Sequence, residues 1–371
     1  MSDQNNIWKN NLPFLKMGVK IPLFYLGKHN RNFLKIISPS PIDISLKVTE
    51  KCNSGCITCN VWREQFSKPE LTIEELGEIF YQLKEIKIKT IGLYGGEPLL
   101  RKDIGEVAKK AKKIVKGSRV LAITNGLLLK GKAQELLDGG VDFVCISLDG
   151  IGEVNDKIRG VPGDYQKVIE GIKELKRIDK KKKVKINIGT TLLSLNIYQV
   201  PQLINLAREL DISWSFNLFD TSPYHFKNID NPSYLKKIDE NLINETIEYI
   251  YWARKKYPRT LVGIDPVGLK FAEEYLKGKK PFFHCVLGYL RIYIDSYMNV
   301  YSGCWAMPPV GNLRNDRLKN ILNSSQYKER LMKMYELQCP YCTCGFLINC
   351  LINNPLSGAQ FLFKNIPFLK N

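Results

Sequence analysis

Three cysteines early in the chain carry the clearest chemistry in the sequence. Cys52, Cys56 and Cys59 follow the spacing C-x3-C-x2-C. Thiolates this close together are typical ligands of zinc or of an iron–sulfur cluster. A closed structural zinc site needs a fourth ligand, and no other Cys or His lies nearby in the sequence. A four-iron cluster held by three cysteines keeps one iron open for a further ligand. The spacing therefore favours a reactive cluster over structural zinc.

The residues before the cysteines must position them. Apolar residues at 42, 44, 46 and 48 alternate with Asp43, Ser45 and Lys47. This period of two predicts a strand that ends in the cysteine loop. A loop allows three thiolates to converge on one centre, whereas a regular helix or strand would hold them apart.

The same alternation of strands and helices continues to about residue 218. Strands are predicted at 42–48, 90–94, 120–123, 143–148, 184–192 and 213–218. Helices are predicted at 72–83, with Thr72 and Glu75 as a capping box, and at 103–115, 132–137, 165–177 and 200–210. Strands that alternate with helices form parallel, right-handed βα units. Six units are too few to close a barrel, so we expect an α/β fold with a partial (β/α)6 TIM-type barrel.

Unusual polar and glycine residues follow the predicted strands, where the active groups of such barrels lie. Two glycines allow the backbone to approach a ligand closely, and a guanidinium can bind a carboxylate through two hydrogen bonds. The candidate ligand-binding residues are Gly95, Gly96, Glu97, Pro98, Asn125, Ser147, Asp149 and Arg159.

The cysteine triplet after one strand and Gly95-Gly96-Glu97-Pro98 after the next resemble the radical S-adenosylmethionine (SAM) superfamily. The resemblance implies a [4Fe-4S] cluster on the three cysteines whose open iron binds SAM. It also implies reductive cleavage of SAM to methionine and a 5′-deoxyadenosyl radical, which abstracts hydrogen from a substrate.

The resemblance also assigns roles to the candidate residues. It implies that Gly95–Pro98 bind the methionyl ammonium, that Ser147 contacts the ribose and that Arg159 pairs with the SAM carboxylate. The family usually has an aromatic residue before the third cysteine. This chain has Thr58 there, and Trp62 is the candidate to supply that contact.

Six further cysteines lie late in the chain, around a predicted hairpin at 292–304 that ends at Cys304 and in which Asn299 takes the left-handed turn position. They resemble the SPASM or twitch extension of radical SAM enzymes, which holds an auxiliary cluster. The spacing C-x2-C-x-C-x5-C departs from that pattern. We expect a small cysteine-rich C-terminal domain with a second [4Fe-4S] cluster, zinc being the alternative. The preferred ligands are Cys285, Cys304, Cys339 and Cys342; Cys344 and Cys350 have no assigned role, and Cys145 is expected in the core.

The length of the chain and its net charge give further expectations. The 371 residues divide into a basic extension (1–40), the barrel (41–265), the auxiliary domain (281–350) and a tail (351–371). We expect a cytoplasmic protein with reduced cysteines, because there is no signal peptide and no apolar run of about 18 residues. The net charge of +18 attracts anionic partners, although a lysine-rich composition accounts for it equally well.

The sequence leaves the substrate open. The signature around Ser147 and Arg159 favours oxidation or modification of a peptide or protein. The basic, aromatic chain ends favour a lipid or membrane-linked glycan, with peripheral contact to the inner membrane surface. A non-catalytic iron–sulfur or zinc module is a third alternative. We expect an electron donor such as flavodoxin or ferredoxin and no nucleic acid. The sequence assigns no general base, and Asp220 and Asp265 are candidates.

Overall fold

The core of the protein is one twisted sheet. The computed structural model describes residues 32–63, 70–219, 238–261, 264–281 and 283–339, with isolated positions in 23–30 and 343–350. The strands are β1 (Asp43–Thr49), β2 (Thr90–Gly95), β3 (Arg119–Thr124), β4 (Phe143–Ser147), β5 (Lys185–Leu192), β6 (Ser213–Leu218), β7 (Arg291–Ile294), β8 (Asn299–Tyr301) and β9 (Gly311–Asn312). Their order is β6-β5-β4-β3-β2-β1-β7-β8-β9. Neighbours from β1 to β6 pair in parallel, which confirms the partial barrel.

Helices follow the strands and cover the outside of the sheet. They are α1 (Asn32–Lys35), α2 (Ile73–Glu85), α3 (Ile104–Ile114), α4 (Leu129–Asp138), α5 (Glu153–Arg159), α6 (Asp164–Ile178), α7 (Val200–Glu209), α8 (Glu240–Lys256), α9 (Pro266–Leu276), α10 (Leu287–Leu290), α11 (Leu318–Asn323) and α12 (Ser325–Tyr335). The capping box of Thr72 and Glu75 at the start of α2 is confirmed. No helix of the described ranges is both long and apolar enough to cross a bilayer.

The two faces of the sheet differ in polarity. Ile44, Leu46 and Val48 of β1 are fully buried in the main apolar core, which includes the inner faces of the helices. The alternate positions of the same strand are Ser45, Lys47 and Thr49. Strand β6 repeats this, since Trp214, Phe216 and Leu218 are buried between Ser213, Ser215 and Asn217. The polar positions therefore face the barrel interior.

The predicted hairpin continues the barrel sheet. β7 pairs in parallel with β1, and β8 returns antiparallel to β7. The division of the chain into domains stays a prediction. The turn corrects one expectation: Met298, with φ of 66°, takes the left-handed position, not Asn299. The side-chain Nδ2 of Asn299 instead donates a hydrogen bond of 2.9 Å to Asp295 Oδ2, and Asn299 is the first residue of β8.

Two further regions are the segment before β1 and the helices after β6. Phe24 and Leu34 of the N-terminal segment are buried, and the Phe24 ring contacts Tyr289 at 5.1 Å edge-on. After β6, where the strand–helix alternation ends, α8 and α9 pack on each other. Asp265, a candidate base, caps α9 by accepting a hydrogen bond of 2.8 Å from Val267 N. Asp220, the other candidate, lies outside the described residues.

Candidate active site

The cysteine loop lies at the carboxyl end of β1 and rests on the end of α5. Ile57 N donates 3.0 Å to Ile158 O. Gly160 has φ of 68°, and a Cβ atom there would collide with the carbonyl oxygen of Gly55. This backbone contact fixes the loop against the segment that carries Arg159.

The glycine turn after β2 is equally close to the end of β1. Gly96 N donates 3.0 Å to Thr49 O, and Glu97 N donates 2.7 Å to Lys51 O. A side chain at Gly96 would collide with the backbone at Lys51. The glycine at position 96 is therefore required for the turn and the cysteine loop to meet.

Glu97 holds this turn to the end of β3. Its buried carboxylate accepts hydrogen bonds from Leu99 N at 2.9 Å, Thr124 Oγ1 at 2.7 Å and Asn125 N at 2.6 Å. Burial raises the pKa of Glu97, and these three donors oppose that rise. Asn125 Nδ2 in turn donates 2.7 Å to Ser54 Oγ within the cysteine loop. Glu97 and Asn125 thus join three strand ends, and direct contact of either with SAM stays a prediction.

Arg159 is a cation close to the thiols of Cys52 and Cys56. Its Nη1 atom lies 3.2 Å from Asp149 Oδ2, and the Asp149 side chain is 1% exposed. Asp149 Oδ1 accepts 2.7 Å from Thr191 N, which holds the carboxylate in place. The Arg159 Nε atom is buried with no hydrogen-bond partner among the described residues. Burial raises the pKa of the Cys56 thiol to about 12, and the guanidinium of Arg159 opposes that rise.

Two other predicted residues lie at the same rim. Ser147 ends β4 and pairs with Gly189 of β5, on the interior face. Trp62 Nε1 donates 3.1 Å to the carbonyl oxygen of Cys56, and the side chain is 39% exposed. The structure therefore places Trp62 against the cysteine loop, at the mouth of the barrel.

The chemistry of these groups fits a [4Fe-4S] cluster and SAM. Three thiols share one loop, and Val61 N donates 3.4 Å to Cys59 Sγ, as backbone amides do to cluster thiolates. The unpartnered Arg159 Nε supplies a donor for an anionic group. Within the described residues, no three His, Cys, Asp or Glu side chains surround a single metal-ion position. A four-iron cluster distributes its thiolates over separate irons.

The late cysteines form a second site. Cys285, Cys304 and Cys339 line a small cavity together with Phe283, Leu287, Gly303, Met334 and Leu337. Cys342 and Cys344 lie outside the described residues. Cys350 is buried, which raises its pKa to about 12. The ligand set of a second cluster stays a prediction, and three of its four predicted members share this cavity.

The structure corrects the placement of Cys145. The residue is only partly buried and lies outside the apolar core, on the interior face of β4 beside Asn187 of β5. Sequence analysis also missed Lys47, whose buried ammonium pairs with Glu50. Lys47 is the charged residue within positions 44–49 of β1, and that charge was the available signal.

Comparison with known proteins agrees with this geometry. The Radical SAM superfamily model matches residues 46–207. A GTP 3′,8-cyclase of Peptoclostridium acidaminophilum is 31% identical over 253 residues, which are 62% of this chain and 74% of the relative. A pre-heme d1 synthase of Dinoroseobacter shibae is 36% identical over 173 residues, 46% of this chain but 41% of the relative.

Two proteins whose names refer to peptides are similar to this chain, each over a different length. A PqqA peptide cyclase of Bradyrhizobium diazoefficiens is 29% identical over 174 residues, 46% of this chain and 44% of the relative. The crystal structure of Streptococcus suis SuiB bound to precursor peptide SuiA has a TM-score of 0.63 at 17% identity, covering 88% of this chain and 76% of SuiB. That structure shares the fold. From the cyclase match, the family model and the strand-end site together, the chain belongs to the radical SAM superfamily, whose members hold a [4Fe-4S] cluster and SAM.

Proposed function

We propose that this protein is a radical SAM enzyme that abstracts hydrogen from a peptide or protein substrate. The observation that carries the proposal is the meeting of the cysteine loop, the Gly95–Pro98 turn and Arg159 at one end of the parallel strands. Cys52, Cys56 and Cys59 would hold a [4Fe-4S] cluster, which would supply the electron for reductive cleavage of SAM.

The chain's own residues bind and orient the reactants. The Arg159 guanidinium already pairs with Asp149 through Nη1, so its Nε side is the one that donates to the SAM carboxylate. Glu97 keeps the Gly95–Pro98 backbone in place for the methionyl ammonium. Ser147, on the interior face, reaches the ribose.

The second site supports an auxiliary cluster. Cys285, Cys304 and Cys339 share an apolar cavity, and Cys342 is proposed as the fourth ligand. A cluster there would anchor substrate or accept the second electron of an oxidation. An external reductant such as flavodoxin or ferredoxin would supply electrons to the first site.

The peptide is the preferred substrate for two reasons. The chain is similar in sequence to a PqqA peptide cyclase and in fold to a structure that contains a precursor peptide. The alternative, a lipid or membrane-linked glycan on the inner membrane surface, rests on aromatic residues at the chain ends. Residues 351–371 lie outside the described part, and Phe24 and Leu34 are buried, which supports a structural role for the N-terminal segment.

Uncoupled SAM cleavage tests the proposal without a known substrate. The protein, reconstituted with iron and sulfide under anaerobic conditions and reduced with dithionite, is expected to form 5′-deoxyadenosine from SAM. A non-catalytic iron–sulfur or zinc module would bind metal and form none. Absence of 5′-deoxyadenosine from a preparation with a full complement of iron would contradict the proposed activity.

A further inference from the structure

We propose that Trp305, Tyr94 and Ile123 form an apolar wall inside the barrel that receives a neutral side chain of the substrate peptide. This inference rests on the proposed function and deepens it, because it names the chemical class of the group that reaches the cofactor. It also assigns a specificity role to three residues that no motif contains.

Trp305 is held inside an aromatic cluster that spans both halves of the sheet. Its indole stacks on the Tyr293 ring at 4.6 Å and 12°, and contacts Tyr301 at 4.8 Å. Tyr94, at the end of β2, lies 5.7 Å from the indole. Trp305 directly follows Cys304, a member of the second cysteine site, while Tyr94 directly precedes the Gly95–Pro98 turn. The indole therefore lies between the two sites.

Strand register shows that this cluster faces the barrel interior. Tyr94 pairs with Lys47, and Tyr293 pairs with Ser45, and both partners belong to the polar, inward face of β1. The pair Leu93 and Ala122 sets Ile123 beside Tyr94 on the same face. Ile123 is 37% exposed, which is unusual for an isoleucine in a central strand. The exposed apolar surface thus continues from the indole across β2 to β3.

The positions of this row beyond Ile123 are polar but uncharged. Ile123 pairs with Cys145, Cys145 with Asn187, and Asn187 with Ser213. Asn187 donates 2.9 Å to Ser215 Oγ and accepts 2.9 Å from Ser213 Oγ. These amide and hydroxyl groups bond to one another, so the row that continues from the apolar wall is neutral.

The buried cation of this row is already paired. Lys47, the charged member of the row, forms a buried ion pair with Glu50, and Glu50 also accepts 2.6 Å from Ser296 Oγ. Arg159 pairs with Asp149 at the rim. A phosphate or carboxylate brought into this row would lose its hydration, and Lys47, the cation of the row, is already paired with Glu50. A neutral aliphatic or aromatic side chain loses no charge hydration and gains apolar contact with the wall.

The test uses blocked amino acid amides as probes of the reconstituted, SAM-bound full chain. Saturation-transfer difference NMR would compare N-acetyl-leucinamide and N-acetyl-phenylalaninamide with the matching aspartate and lysine derivatives. We expect signals from the neutral pair only, reduced about fivefold in Trp305→Ala. Trp252→Ala is the matched control, because Trp252 is an exposed tryptophan on α8.

A second variant keeps the test decisive if Trp305→Ala fails to fold. Ile123→Asp places a carboxylate in the wall, so the leucine and phenylalanine probes should weaken and the lysine probe should gain a signal. The inference would be overturned if the charged probes bind the wild-type protein as strongly as the neutral probes do. It would also be overturned if neither variant changes the binding of the neutral probes. The absence of any probe signal would overturn it as well. Uncoupled SAM cleavage in the same preparation separates these outcomes from failure of the proposed activity.

Discussion

The two cysteine sites differ most in what surrounds their thiols. The loop of Cys52, Cys56 and Cys59 lies among polar groups, with the Arg159 guanidinium and the Asn125 amide beside it. The late cysteines instead face a cavity walled largely by apolar side chains of Phe283, Leu287, Met334 and Leu337. Polar donors can hold a charged small molecule next to a metal centre, whereas an apolar wall can only enclose one. The first environment suits binding and reaction, and the second suits enclosure.

The two sites are also held in place differently. Backbone contacts between glycines, Gly55 against Gly160, fix the first loop. Side chains brace the second: His284 stacks on Tyr335 at 4.2 Å, and the Asn349 side chain accepts 3.0 Å from Val286 N beside Cys285. Cysteine thiols thus occur in both sites, and the residues around them decide whether a site suits reaction or enclosure.

The largest expected effect comes from removing the first set of thiols. Changing Cys52, Cys56 and Cys59 together to Ala should remove about four irons and abolish SAM cleavage, since these thiolates are the proposed ligands of the cluster. Iron should remain at the second site, with an electron paramagnetic resonance signal after reduction. Cys145→Ala is the control and should retain both properties. Unchanged iron content and cleavage in the triple variant would refute the assignment of the first site.

Removing thiols of the second site should separate iron content from SAM cleavage. A Cys285→Ala, Cys304→Ala double variant should lose the iron of the second site, which is the iron that the triple variant of the first site retains. Uncoupled SAM cleavage should persist, because the residues of the first site are intact. Metal analysis and the 5′-deoxyadenosine assay check both points. Zinc in the wild-type second site would make it structural and remove its proposed redox role.

The sequence predicts the scaffold better than the contacts between its parts. Alternating apolar residues identify β1, and the capping box identifies the start of α2, because both signals are local. The contact of Gly55 with Gly160 joins residues over a hundred positions apart, and no local pattern records it. Likewise, placing Cys145 on the interior face required the register of β4 against β5.

The wrong turn residue and the helices that the sequence did not reveal have similar causes. Asn tolerates the left-handed conformation, but Asp295 binds the Asn299 amide and Met298 takes that position instead. Helices α8 and α9 follow β6, after the strand–helix alternation that makes the earlier helices recognisable. Local propensity predicts an element, whereas tertiary hydrogen bonds decide its exact residues.

Two glycines at the end of α5 test whether the backbone contact matters to the first site. Gly160 and Gly163 both have positive φ, 68° and 73°, so alanine at either position costs about 1 kcal/mol of folding free energy. Only at Gly160 would the added Cβ collide with Gly55, while Gly163 has open space around it. Gly160→Ala should therefore also lower iron retention and SAM cleavage. Equal iron content and cleavage in the two variants would show that the cysteine loop does not depend on this contact.

The smallest effect we expect concerns Arg159, and it tests whether the polar surroundings bind SAM directly. Arg159→Ala removes a charge-assisted hydrogen bond and should weaken SAM binding by about 2 kcal/mol, measured by equilibrium dialysis of the reconstituted protein. The control is Arg177→Ala, whose exposed guanidinium pairs with Glu174.

Arg159→Ala also leaves the buried Asp149 carboxylate without its cation, so the loss could arise from the carboxylate rather than from SAM. Asp149→Asn separates the two causes. It frees the Nη1 side of Arg159 and removes the buried negative charge, so SAM binding should be retained or strengthened while Arg159→Ala weakens it. If both variants weaken SAM binding equally, the ion pair acts by holding the rim in shape. Arg159 would then be a positioning residue, and the first site would hold the SAM carboxylate by other donors.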